Sequence, residues 1–178
     1  MNTSGLESFG SKARASLLEN VGLQVDRVLA KNSAARRSSP HQVEALEQAL
    51  ASEGRDNLIE RVAYTWFNRF IALRYMDARG YTSVGVVSPA SGSQGGQGSV
   101  EPEVLSLAKQ GNIDTSIVAP KVAYEIRDLL FGSSGHATPH EEAYRLLLLE
   151  YCRHWNRSTP FMFEPPEDFT ELLAPPSL

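Results

Sequence analysis

The stretch from Val62 to Asp77 constrains the fold of this chain more than any other. It contains no glycine or proline and is rich in aromatic residues. One apolar stripe recurs at spacings of four and three, the period of an α-helix and not of a strand: Leu58, Val62, Trp66, Phe70 and Leu73. A second apolar stripe runs beside it: Ile59, Ala63, Phe67 and Ile71. A helix that is apolar over so much of its girth predicts a central helix covered on several sides, with Trp66 and Phe70 in the core.

Helix signals recur along the rest of the chain. The central helix is predicted to begin after a cap at Asp56 or Asn57 and to run to about Ala78, where Gly80 stops it. Apolar periodicity, proline at helix starts and glycine at helix ends, as at Gly54, predict five further helices: 3–30, 40–52, 101–110, 118–131 and 139–155. Thr138 and Glu141 have the spacing of a capping box for the last of these helices. The polar stretch Ala34–Ser39 predicts a loop, and Pro166–Leu173 predicts one or two final helical turns. The predicted class is all-α, a mainly helical bundle around the central aromatic-rich helix, with a short β-hairpin as an option near 81–88.

Length and composition predict one helical domain over residues 1–178. The chain has 178 residues, of which 42% are hydrophobic and 21% charged, as in ordinary globular domains. The Gly/Ser-rich segment 90–100 predicts a flexible loop. Its glycines resemble a phosphate cradle, but it lacks a Lys-Ser/Thr ending and a preceding buried strand, so the linker interpretation is preferred.

The sequence indicates no catalytic, cofactor-binding or metal-ligating residue. Cys152 is the only cysteine, which excludes an intrachain disulfide, and its setting is that of a buried helix position. His136 and His140 are separated by Pro139, so they do not share a helical face or form a metal site. No signal-type apolar segment precedes the first helix. We therefore expect a cytoplasmic chain that has no membrane partner.

Local basic surfaces are an indication of a partner in the charge pattern. The net charge of −4 argues against a wholly basic nucleic-acid-binding surface, yet residues 61–79 carry four arginines against one aspartate. Arg, Lys and Asn side chains are the donors that phosphate contacts use. The candidate DNA-phosphate contacts are Arg61, Asn68, Arg69, Arg74, Lys12 and Arg14. The preferred alternative is that these arginines pair with acids of neighbouring helices.

The amino-acid sequence of the central helix resembles that of a known protein family. Residues 61–81 read RVAYTWFNRFIALRYMDARGY. This run resembles the N-terminal region of the PglX family, the BREX (bacteriophage exclusion) adenine-specific DNA methyltransferases, and related methyltransferases of restriction-modification type. Two later segments are similar to the same family: VVSP at 86–89 followed by PEVL at 102–105, and YRLLLL at 144–149 followed by PFMFE at 160–164. The resemblance extends over nearly the whole chain in order.

The resemblance implies a larger parent enzyme that transfers a methyl group from S-adenosylmethionine to adenine N6. This chain lacks the Asn-Pro-Pro-Tyr motif and the cofactor loop of such enzymes, so we expect an N-terminal fragment, with the methyltransferase domain downstream and no cofactor in the fragment itself. The implied partners are that downstream domain, DNA through the parent enzyme, and other defence-system proteins. The alternative is a free-standing protein-interaction module that binds no DNA.

Overall fold

A computed structural model describes residues 3–89, 101–132, 137–163 and 168–175, without the side chains of residues 3–9. These ranges contain helices and irregular segments and no β-strand, which confirms the all-α class. The helices are α1 (Thr3–Leu29), α2 (Ala34–Ser38), α3 (Pro40–Glu53), α4 (Arg55–Arg79), α5 (Glu103–Lys109), α6 (Pro120–Phe131), α7 (Pro139–Asn156) and a 3₁₀ helix (Phe169–Leu173). None of the helices in the described ranges is long and apolar enough to cross a lipid bilayer.

The chain divides into two compact units. The first comprises Met1–Asn68 with Pro166–Leu178, and the second comprises Arg69–Pro165. Helix α4 therefore contributes its first part to one unit and its last turns to the other. Whether residues 1–178 behave as a single domain stays a prediction.

The first unit has a core built from α1, α3, α4 and the 3₁₀ helix. Its buried apolar side chains include Leu17, Val21, Val25, Leu46, Leu58, Val62 and Leu173. Trp66 is the largest fully buried side chain, and its indole N–H donates to the carbonyl oxygen of Thr170 at 3.0 Å. The predicted central position of Trp66 is confirmed, and its hydrogen bond ties the 3₁₀ helix to α4.

The second unit packs α5, α6 and α7 with the end of α4. Phe70 and Leu73 of α4 are buried, as are three of the four consecutive leucines of α7. Glu150 is also buried, where its carboxylate accepts the backbone N–H of Ala119 at 2.8 Å and pairs with Arg153 at 2.8 Å. An acid in the interior thus fixes the start of α6, because the first N–H groups of a helix have no intrahelical partner.

Three expectations from the sequence are wrong. The stretch Ala34–Ser39 is largely helical, because the Ser33 hydroxyl caps it by accepting the N–H of Arg36 at 3.3 Å. The side chain of Thr138 makes no capping hydrogen bond at the start of α7. The second apolar stripe of α4 is only partly covered, since Ile71 remains 44% exposed.

The β-hairpin option at 81–88 is also wrong, because Tyr81–Pro89 forms an irregular loop. The predicted Gly/Ser loop 90–100 lies outside the described residues. The predicted boundaries of α3 and α4 agree with the structure. In particular, Gly54 and Gly80 have φ values of 80° and 67°, a left-handed conformation suited to glycine at a helix end.

Candidate functional site

A groove in the first unit is a candidate binding surface among the described residues. It lies along α1 and the first half of α4 and has a volume of about 620 Å³. Leu17 and Ala63 form part of its floor, and Tyr64, which is 68% exposed, stands on its α4 side. The remaining lining residues are Gly10, Arg14, Leu18, Asn57, Glu60, Arg61 and Phe67. The groove is mostly apolar, a composition typical of sites that take an apolar partner or ligand.

The charged residues at the rim of the groove form ion pairs. Arg14 of α1 pairs with Glu60 of α4. Arg61 donates two hydrogen bonds to the carboxylate of Glu53, one from Nε at 3.1 Å and one from Nη2 at 2.7 Å. This hydrogen bonding from Arg61 lowers the pKa of Glu53, and the coulombic attraction adds to it. The guanidinium of Arg61 also lies 5.5 Å from the centre of the Phe169 ring, a cation–π contact.

The six predicted phosphate-contacting residues have different settings. Lys12, Arg14, Arg61 and Arg74 are exposed, Asn68 is half-buried, and Arg69 is only 2% exposed. The groove brings Arg14 and Arg61 together, whereas Lys12 and Asn68 are not among its lining residues. Arg69 offers almost no surface to a phosphate in the folded chain, because its side chain is in the interior. DNA contact by the exposed members stays a prediction.

In the second unit, the carboxylate of Asp77 organises the loop Tyr81–Pro89. One of its oxygens accepts the Thr82 hydroxyl at 2.8 Å and the N–H of Val86 at 3.0 Å. The other accepts the N–H of Val87 at 3.0 Å and the Ser88 hydroxyl at 2.8 Å. The loop amides therefore bond to a side chain and not to a partner strand, which is why no hairpin forms.

Sequence reasoning missed the role of Asp77, although one signal was present. A carboxylate in the last turn of a helix opposes the macrodipole, which favours positive charge there. Its position is therefore unusual unless the carboxylate has another partner. Gly85 completes the loop, because a Cβ at this position would lie 2.5 Å from the carbonyl oxygen of Ser88.

Two buried tyrosines, Tyr144 and Tyr151, are polar groups in the interior of the second unit. Among the described residues, no three His, Cys, Asp or Glu side chains converge to hold a metal ion. Burial raises the pKa of Tyr144, whose hydroxyl donates to the carbonyl oxygen of Val86 at 3.1 Å. Burial likewise raises the pKa of Tyr151 to about 12, so both phenols stay protonated at neutral pH. A cavity of about 30 Å³ beside Tyr151 is large enough for about one water molecule.

Comparisons with known proteins identify relatives along the length of the chain. No protein-family model matches it. The adenine-specific methyltransferase PglX of Lacticaseibacillus casei (strain Zhang) is 27% identical over 222 aligned positions, which cover 99% of this chain and 17% of the relative. The adenine-specific methyltransferase BrxX of Escherichia coli O9:H4 (strain HS) is 31% identical over 135 positions, which cover 76% of this chain and 10% of the relative. The chain thus spans less than a fifth of the length of these curated relatives.

Proposed function

We propose, on the premise that this chain is a relative of the adenine-specific methyltransferases PglX and BrxX, that it is the N-terminal helical scaffold of such an enzyme. The parent enzyme transfers a methyl group from S-adenosylmethionine to adenine N6 at a specific DNA sequence. It acts in the cytoplasm, as part of a BREX-type phage-defence system. Its target base is flipped out of the duplex, as enzymes that modify bases require. The flipping pocket and the cofactor site belong to a methyltransferase domain downstream.

The relation to the two methyltransferases is the observation that carries this proposal. It covers 99% of the chain in one case and 76% in the other, so it does not depend on one short motif. The helical architecture agrees with a scaffold role, because several charged side chains form ion pairs, bond to a helix start or hold a loop. The apolar groove supplies a surface on which the rest of the parent enzyme, or a partner protein of the defence system, packs.

Sequencing of modified bases in the host tests the enzymatic part of the proposal. A strain that carries the intact locus should show N6-methyladenine at one sequence motif, and deletion of the gene should abolish it. Restoring the full-length gene should restore the methylation. A methylation pattern that is unchanged by the deletion would contradict the proposal, as would a natural stop codon directly after Leu178.

The scaffold role requires a separate test in the full-length enzyme. Tyr64→Ala removes the exposed aromatic side chain at the groove and should lower methylation, because packing of the downstream domain is weakened. Tyr124→Ala removes a similarly exposed tyrosine, from α6, and serves as the matched control. Equal methylation by the two variants and the wild type would exclude the groove as the packing surface.

The isolated chain should neither bind S-adenosylmethionine nor methylate DNA. The reason is that its sequence has no Asn-Pro-Pro-Tyr motif and that, among the described residues, no strand precedes its glycine-rich segment. Isothermal titration of residues 1–178 with the cofactor should give no heat beyond dilution. Micromolar binding would overturn the assignment of the cofactor site to the downstream domain.

A free-standing protein-interaction module is the second candidate function. The groove favours it, because an apolar concave surface of about 620 Å³ with an ion-paired rim suits a protein segment better than a polyanion. Reading the gene beyond Leu178 separates the candidates. A following strand-and-helix domain with Asn-Pro-Pro-Tyr supports the methyltransferase, and a natural stop codon supports the module.

A further inference from the structure

Two exposed tyrosines and an arginine form a compact cluster at the end of α4. The rings of Tyr75 and Tyr81 meet edge to face with their centres 6.3 Å apart. The guanidinium of Arg79 lies 5.4 Å from the centre of the Tyr75 ring. Tyr75 is 53% exposed and Tyr81 is 60% exposed, and Arg79 is exposed as well. We call these three residues the Tyr75–Arg79–Tyr81 cluster.

The backbone beneath the cluster is held by a complete helix-terminating motif. The N–H of Tyr81 donates to the carbonyl oxygen of Met76 at 2.9 Å, and the N–H of Gly80 donates to that of Asp77 at 3.1 Å. With Gly80 in the left-handed conformation, these two bonds constitute a Schellman motif. The contact between Tyr75 and Tyr81 is the apolar contact that accompanies such motifs, but it leaves more than half of the surface of each residue exposed. The cluster is therefore both accessible and preorganised.

The charge of the cluster is positive and not neutralised by an ion pair. Among the described residues Arg79 has no carboxylate within ion-pair distance, in contrast with Arg14 and Arg61 of the first unit. The nearest acid in sequence, Asp77, directs both carboxylate oxygens to the loop, where four donors occupy them. Arg74, five residues before Arg79 in the same helix, adds a second positive charge and donates to the Ser88 hydroxyl.

We propose that the Tyr75–Arg79–Tyr81 cluster is a contact site for the phosphate backbone of duplex DNA. The inference rests on the proposed function, because DNA is the substrate proposed for the parent enzyme. Its chemistry is that of backbone contacts: the guanidinium supplies charge and fork-shaped donors, and the tyrosine hydroxyls supply further donors. The cation–π contact holds Arg79 in place, so less side-chain freedom is lost on binding. The cluster positions DNA and does not read its sequence.

Arg79→Gln tests the proposal directly in the 178-residue chain. The measurement is fluorescence anisotropy of a labelled random-sequence DNA duplex, titrated at several low salt concentrations. Arg79→Gln should weaken binding roughly tenfold, as expected for the loss of one charge-assisted hydrogen bond. It should also reduce the slope of log affinity against log salt by about 0.9, the value for one phosphate contact. The double variant Tyr75→Phe/Tyr81→Phe, which keeps the rings and removes the hydroxyls, should weaken binding at an unchanged slope.

Arg127→Gln is the matched control, because Arg127 is an exposed arginine of the same unit and the change in net charge is identical. It should alter the affinity far less than Arg79→Gln. Equal effects of the two arginine variants would overturn the proposal, since the loss would then reflect net charge alone. Absence of duplex binding by the wild-type chain at low salt would also overturn it. Either result leaves the proposed methyltransferase untouched if N6-methyladenine still depends on the gene.

Discussion

The two units differ in how far their acids serve the backbone as well as ion pairs. In the first unit, arginines and acids pair with each other on the surface, as in Arg14–Glu60, Arg36–Glu47, Arg55–Asp26 and Arg61–Glu53. The second unit also contains ion pairs, as in Lys109–Glu101 and Arg145–Glu142, but several of its acids bond in addition to backbone N–H groups. Asp77 accepts those of Val86 and Val87, Glu103 accepts that of Gly85, and Glu150 accepts that of Ala119.

This difference follows from what each unit must hold together. The first unit consists mainly of helices, whose backbone groups are largely satisfied within the helix, and its four ion pairs among the described residues lie at the surface, where each contributes only up to about 1 kcal/mol. The second unit contains a long irregular loop whose amides need partners that no helix or strand provides. A carboxylate that satisfies several amides cannot be removed without leaving them unpaired. We therefore expect the second unit to depend on its acids and the first unit on its apolar core.

The largest expected effect concerns that apolar core. Trp66→Ala should destabilise the chain by about 3–5 kcal/mol, because it removes the largest buried side chain and its bond to Thr170. Urea denaturation followed by circular dichroism measures the change. Tyr64→Ala, two residues away and largely exposed, is the control and should cost about 0.5 kcal/mol or less. Similar midpoints for the two variants would mean that Trp66 is not central.

The next effect concerns the acid that holds the loop. Asp77→Ala should destabilise the chain by about 2–4 kcal/mol, since it leaves the amides of Val86 and Val87 without their acceptor. Asp77→Asn keeps one acceptor oxygen and should cost less. Hydrogen exchange should show faster exchange of these two amides in both variants. Unaltered exchange in Asp77→Ala would refute the organising role of this carboxylate.

Two glycine variants should shift stability in opposite directions. Gly85→Ala should destabilise by about 1–3 kcal/mol, because its Cβ would lie 2.5 Å from a backbone oxygen in the loop. Gly10→Ala, in α1, meets no atom within 4 Å and should stabilise by up to about 1 kcal/mol, the helix preference of alanine over glycine. Thermal melting of the two variants side by side measures both shifts. Melting temperatures that shift in the same direction would contradict the expectation that Gly85 is required by the loop whereas Gly10 weakens α1.

The smallest effect concerns a surface ion pair. Arg61→Ala should change stability at neutral pH by about 1 kcal/mol or less. Because Arg61 lowers the pKa of Glu53 from 4.5, the contribution of the pair is present above that value and is lost as the pH falls through the lower pKa of the folded chain. Denaturation from pH 7 to pH 3 should therefore show a smaller loss of stability with acid in the variant. An equal loss of stability with acid in the variant and in the wild type would show that Arg61 does not lower the pKa of Glu53.

The sequence predicted most of the helices and the buried stripe of α4, because both depend on local periodicity and on helix-ending glycines. Trp66, Phe70 and Leu73 follow from spacing alone, and so do the ends of α3 and α4 at Gly54 and Gly80. The composition of 34–39 was misleading, since a capping serine and two arginine residues stabilise a short helix in a polar stretch.

The tertiary structure decided which polar groups meet. No spacing rule connects Asp77 to Val87, or Glu150 to Ala119, which lies 31 residues earlier. It also decided the exposure of each arginine on α4, placing Arg69 inside and Arg79 outside although both lie on the same helix. The physical reason is that apolar periodicity is a property of the sequence of one helix. The burial and pairing of a charged side chain depend instead on the elements that pack against that helix.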